Sequence, residues 1–187
     1  MRFSILNSAV AALAVCSTAL GQMTPSQVVD NIKSLTTKSQ ALQAPAQSIS
    51  IINGPLIVVG LGPFPPLILG FTDIVTTATT AIAQMQSMPP VAAGAPSDLI
   101  FDAFREFVRV HQVLLNILIG KAGLFTVVPL IGAPVAAVLR QIESIVDTVA
   151  FKLIDNVQSR ADDLRREAGS LGSTITIAID QFEGLNL

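Results

Sequence analysis

The chain has 187 residues, 51% of them apolar and only 13% charged, with a formal net charge of −2. That balance excludes an electrostatic footprint for nucleic acid, and no basic cluster marks an anionic lipid surface. Charged residues ordinarily make up about 25% of a soluble chain. So the apolar excess has to pack closely, line a cavity for an apolar ligand, or form an exposed face.

Residues 1–21 read as a secretory signal peptide. Met1-Arg2 supplies the positive start, 3–15 is mostly apolar, and small residues follow. Cleavage after Gly21 places Ala19 and Gly21 at the small-residue positions; cleavage after Ala19 is the alternative, and an uncleaved anchor is the rival reading. Residues 22–187 then form a single helical-bundle domain. Cys16, the only cysteine, leaves with the leader, and the mature net charge becomes −3. A mature chain of about 166 residues buries enough surface to fold without disulfides.

A first helix opens at Pro25 behind Thr24, a good cap. Its apolar row is Val28, Ile32, Leu35, Ser39, Leu42, Ala46, Ile49 and Ile52, in alternating steps of four and three. Pro45 should kink it. Ser39 interrupts the row. It is expected to bond a carbonyl one turn back, or else to meet a polar group of a ligand.

The run 53–70 reads NGPLIVVGLGPFPPLILG, inside a longer uncharged stretch from 39 to 72. Its length suggests a membrane span. Gly54-Pro55, Gly62-Pro63 and Pro65-Pro66 would break such a helix repeatedly, so an integral span is rejected. The plain reading is an apolar loop packed on the end of a bundle. The sharper one is a ligand portal or a surface-adsorbing tip, with Leu61, Phe64 and Leu67 as its contact residues.

A second helix is expected over 66–87, with Phe71, Ile74, Val75, Ala78, Ile82 and Met85 inward. Its five threonines, Thr72, Thr76, Thr77, Thr79 and Thr80, lower its intrinsic propensity, so packing must hold it. Met88-Pro89-Pro90 ends it. The stretch 99–118 is the most periodic in the chain, with Ile100, Phe104, Phe107, Leu114 and Leu118 on one stripe, widened by Leu99, Ala103, Val110 and Ile117. Ser97 or Asp98 can cap it, and the other helices are expected to pack around it. A second Pro-broken apolar turn, 124–134, leads to a helix with Val135, Val138, Leu139, Ile142, Val146, Val149 and Leu153 inward. The last helix opens at Asn156 or Ser159 and carries Leu164, Leu171, Ile175, Ala178, Ile179 and Phe182 inward. Within it, 160–169 (RADDLRREAG) is a solvated face, and Gly169 and Gly172 suggest close helix approach or a weak spot. Thr174 to Ile179 alternates like a strand in a helical context. The fold class is all-α, an antiparallel bundle of about five amphipathic helices.

Two segments, VVDNIKSLTTKSQAL (28–42) and PLIGAPVAAVLRQIESIVD (129–147), together with the pattern of SRADDLRREAGSLGSTITIAIDQF (159–182), carry a resemblance. The chain resembles the fungal hydrophobic surface-binding protein A family, which also covers the cell-wall galactomannoproteins. That resemblance implies a secreted five-helix bundle that adsorbs to apolar surfaces or holds a fatty acid between its helices. The chain departs from the galactomannoprotein type in ending at EGLNL, without a hydrophobic tail, and in having no N-x-S/T sequon. Free secretion is therefore favoured over cell-wall association.

The chemistry for catalysis is thin. A Ser-His-Asp site would have to use the single histidine, His111, yet no G-x-S-x-G elbow presents a serine, and one histidine with no mature cysteine makes no metal set. Asp162 and Asp163 are adjacent and point to different sides of a helix. No enzyme activity, no metal and no cofactor is expected. His111 continues the row Phe104, Phe107, His111, Leu114, either as a half-buried histidine bonded to a neighbouring helix or as a contact for a fatty-acid carboxylate. The expected ligand is a fatty acid or other lipid. Its expected walls are Leu35, Leu42, Phe71, Val75, Phe104, Phe107, Leu114, Leu139, Ile142, Leu171 and Ile175. Ser39, His111 or a threonine of the second helix would serve as the polar contact. The alternative is adsorption on a hydrophobic surface through the apolar loops, with no internal ligand.

Overall fold

The computed structural model describes residues 23–53, 56, 61–125 and 132–184. The leader and its cleavage site lie outside the described residues, as do 54–55 and 57–60 of the first apolar loop and 126–131 of the second. Met23, the first described residue, is already buried in the core.

Among the described residues, five long α-helices and one short one make the fold: α1 (Pro25–Ala41), α2 (Gln43–Gln47), α3 (Phe64–Met85), α4 (Ala95–Lys121), α5 (Gly132–Asn156) and α6 (Ala161–Glu183). Thr24 and Gln27 form a reciprocal capping box at α1, with Pro25 in its first turn. Pro45 does more than kink the first helix. Its ring excludes the carbonyl four residues back, at Ala41, and that is where α1 ends and the one-turn α2 begins after Leu42. α3 starts at Phe64 rather than Pro66, because Pro65 and Pro66 fit a first turn whose N–H groups need no partner. α4 is entered through Gly94 at φ 101°, a left-handed conformation suited to glycine. Ser97 does not cap it but donates back to the Gly94 carbonyl at 2.8 Å, and Asp98 pairs with Arg160 instead. α6 begins at Ala161, and Thr174–Ile179 lies within it.

The helices close into a ring. α1 packs on α4, α4 on α6, α6 on α5, α5 on α3, and α3 back on α1. α4 is therefore one member of the ring, not its hub; it has no extensive backbone approach to α3 or α5. Cross-links fix the directions. Asn31–Gln84 and Lys38–Asp73 set α3 antiparallel to α1. Asp98–Arg160 and Gln112–Ser170 set α6 parallel to α4. Arg140–Glu183 and Thr176–Glu143 set α6 antiparallel to α5. Consecutive long helices alternate in direction, yet the ring order brings parallel neighbours together.

A ring of five has an axis, and the apolar stripes converge on it as one core cluster. Turning α4 toward both α1 and α6 rotates its stripe: Val108 and Leu115 are buried, and Leu99 is exposed. The row of the first helix is buried through Ile49, but Ile52 projects into solvent. Gly70 is a point of close approach, since a β-carbon there would overlap the end of the Leu42 side chain. Gly169 and Gly172 are not such points. A β-carbon added at either would meet no neighbouring helix, and both line a shallow groove of about 230 Å³ beside Ala150 and Phe151.

The two ends of the ring differ. At one end Asp98, Arg160 and Asp163 form an ion-pair cluster with Arg160 over the face of Phe101. At the other, Ile51, Ile52 and Leu61 are exposed, and Lys121 spends its ammonium on the Ile49 carbonyl at 2.9 Å. By length and composition alone α3 and the stretch 95–124 could each cross a membrane. In the fold both are ring members with one face buried.

Candidate functional site

Among the described residues only three polar side chains are buried in full: Ser39, Ser97 and His111. Two of them meet. Ser39 Oγ of α1 lies 2.8 Å from His111 Nδ1 of α4. The spacing of three and four along α4 puts Phe104, Phe107, His111 and Leu114 on the axial side of that helix. The parallel packing of α1 brings Ser39 to the same level. Gln43 of α2 caps the junction by donating to the Val110 carbonyl at 3.2 Å.

Aromatic rings enclose the imidazole. Phe107 lies at 5.4 Å and a tilt of 35°. Phe71 reaches across from α3 and meets it edge-on at 6.2 Å and 79°. So α3 and α4, which do not pack closely through their backbones, touch through these two side chains. Phe104 extends the cluster, 6.3 Å from Phe107.

The electrostatics follow from that enclosure. No charged side chain is buried among the described residues. Burial without a countercharge pushes His111 down to about 4, so it is neutral at ordinary pH. The Ser39 hydroxyl has His111 as its hydrogen-bond partner rather than a carbonyl one turn back. Its proton is satisfied only by donating to Nδ1, and the hydrogen-bond network thereby assigns the imidazole proton to Nε2. Nε2 is buried and has no hydrogen-bond partner among the described residues. Such a donor costs about 1–3 kcal/mol until it finds an acceptor.

The other sequence-designated wall residues fall as follows. Leu35, Leu42, Phe71, Phe104, Phe107, Leu114, Leu139, Ile142, Leu171 and Ile175 are all buried in the one core cluster, and Val75 is half-buried against it. Of the threonines of α3, Thr72, Thr76, Thr79 and Thr80 are exposed and donate to carbonyls one turn back, and Thr77 is half-buried.

The adsorbing-tip assignment needs correction at two positions. Leu61 is 59% exposed, but Phe64 and Leu67 are buried at 5% and 2%. The early start of α3 is the reason: with Phe71 they form its inward row. Ile51 and Ile52, at 67% and 89%, are exposed instead. Sequence reasoning also missed Gln112, whose amide donates to Ser170 and Thr174 and ties α4 to α6. No local signal marks it, because its partners are 58 and 62 residues away.

Two further shallow grooves, each about 410 Å³, run between α1 and α4 over Val29, Lys33 and Leu99. Among the described residues no group of three metal-ligating side chains converges.

Comparison with known proteins places this ring among solved structures. No family model matches the chain, and no curated protein matches it by sequence. A crystal structure of AFMP4P in complex with palmitic acid superposes with a TM-score of 0.75 at 14% identity, over 84% of this chain and 99% of that one. Ligand binding domain 1 of the Penicillium marneffei MP1 protein, complexed with arachidonic acids, gives 0.69 at 14%, over 84% and 95%. Ligand binding domain 2 of the same protein gives 0.69 at 16%, over 85% and 94%. At these identities the likeness establishes a shared fold.

Proposed function

We propose that the protein is a secreted, non-catalytic lipid carrier that holds a long acyl chain along the axis of the helix ring. The observation that carries this reading is the buried, partnerless Nε2 of His111, set among Phe71, Phe107 and the apolar core. A core that needed only packing would be more stable with an apolar residue there. A polar atom held ready inside an apolar ring suits a ligand that is apolar along its length and polar at one end. Each methylene buried adds about 0.8 kcal/mol, so the chain supplies the affinity and the head group the register. The neighbours bound to palmitic acid and to arachidonic acids support the reading, as does the family resemblance to hydrophobic surface-binding protein A and the galactomannoproteins. Secretion rests on the leader-like residues 1–21.

The test is native mass spectrometry of the purified protein, before and after solvent extraction. A stoichiometric lipid lost on extraction and regained with added fatty acid is the expected result. A bare mass with no uptake would overturn the carrier reading.

A second reading has its own observation. Ile51, Ile52 and Leu61 are exposed at the end of the ring opposite the Asp98–Arg160–Asp163 cluster. Adsorption of that end to a hydrophobic surface would need no internal ligand, and it survives a negative result in the first test.

A further inference from the structure

The interior of the ring constrains the charge of what it holds. This inference rests on the carrier reading and names the chemical state of the ligand's polar end. His111 Nε2–H is a neutral donor with no acceptor, because Ser39 occupies Nδ1. The groups that could balance a negative charge beside it all lie elsewhere. On α1, Lys38 turns outward to pair with Asp73 of α3. α2 carries no charge. On α4, Arg109 is held by Glu106 at the surface, and Lys121 is held by the Ile49 carbonyl. On α6, the level facing His111 is made of Ser170 and Thr174, bonded to Gln112. The cations of α6, Arg165 and Arg166, are engaged in surface ion pairs with Asp162 and Asp163, and Glu183 pairs with Arg140 of α5. The remaining charged residues of α6, Glu167 and Asp180, are acidic and supply no countercharge.

A carboxylate brought to Nε2 would lose its hydration and receive one neutral hydrogen bond in return, with no cation near it. An uncharged oxygen acceptor loses far less and makes the same bond. We propose that the polar site at His111 takes an uncharged oxygen acceptor, namely a protonated carboxyl, an ester carbonyl or an alcohol, and excludes the free carboxylate. A fatty acid would therefore enter with one proton taken from solvent, the proton residing on the ligand's carboxyl and the imidazole remaining neutral.

Decanoic acid and 1-decanol, two soluble probes of equal length, test this on the purified protein. Calorimetry in buffers of different ionisation enthalpy counts protons, and a pH series gives affinities. The expected result is one proton taken up per decanoic acid, with affinity falling about tenfold per pH unit above the ordinary carboxyl range. 1-Decanol should bind with no proton uptake and no pH dependence. Because His111 is the only histidine, its nitrogen NMR signals report the imidazole directly. They should keep the neutral Nε2–H pattern in both complexes. Decanoic acid binding without proton uptake would overturn the inference, and so would imidazolium signals in its complex. Failure of both probes to bind at any pH would overturn the carrier reading itself.

Discussion

Ser39 Oγ and His111 Nδ1 meet at 2.8 Å across 72 residues of chain, joining α1 to α4 at a level where no other buried polar pair occurs among the described residues. The bond holds the imidazole in one orientation and one tautomer. Removing the serine would leave both imidazole nitrogens buried and unpaired. Ser39→Ala should therefore lower stability by about 1–3 kcal/mol. Denaturant unfolding should show a lower midpoint with an unchanged slope.

The same imidazole makes stability depend on pH. Folding lowers its pKa from 6.5 to about 4. On acidification the unfolded chain takes the proton first. The stabilisation is complete above pH 6.5, declines as pH falls from 6.5 to about 4, and levels off below that. The total change is about 3 kcal/mol. Asp163, held below the usual carboxylate range first by its bond from Arg160, adds a separate loss at lower pH. It is common to wild type and variant, so the difference between wild type and His111→Phe should isolate the histidine. Unfolding curves between pH 7 and 4 measure it, and a constant difference would contradict the assignment.

Gly70 and Leu42 should show a reversal of sign. A β-carbon at Gly70 overlaps the Leu42 side chain, and the crowding costs about 1–3 kcal/mol. Alanine also gains about 1 kcal/mol of helix propensity over glycine. Gly70→Ala should destabilise the wild type and stabilise the Leu42→Ala variant. A double-mutant cycle in chemical denaturation reads both values.

The apolar end separates exposed residues from buried ones. Leu61→Asp should change stability by less than about 0.5 kcal/mol, since its side chain faces solvent. Phe64→Asp should cost several kcal/mol, because it puts a carboxylate into the inward row of α3. If adsorption to a hydrophobic surface operates through this end, Leu61→Asp paired with Ile52→Asp should weaken it in a protein that still folds. Circular dichroism and binding to coated beads give the two readouts.

Much of the site was legible along the chain. Spacing by three and four identified most of the inward row of each long helix, missing Val108 and Leu115 of α4, and the row through Phe104, Phe107, His111 and Leu114 was read directly from it. The prolines were harder. Pro45, Pro65 and Pro66 announce breaks or starts, but whether a proline kinks, ends or opens a helix depends on which carbonyls already have partners. That choice moved Phe64 and Leu67 from a loop tip into the core.

The sequence by itself determined the helical class, the inward rows and the near absence of ionisable groups from them, because these follow from periodicity and composition. Only the tertiary structure decided the order around the ring. Helix direction alternates along the chain, but neighbours are set by which faces interlock, so α1 lies beside α4 and α4 beside α6. That order brings Ser39 to His111 and Phe71 across to both. It turns a serine expected to bond its own helix into the partner that leaves Nε2 free.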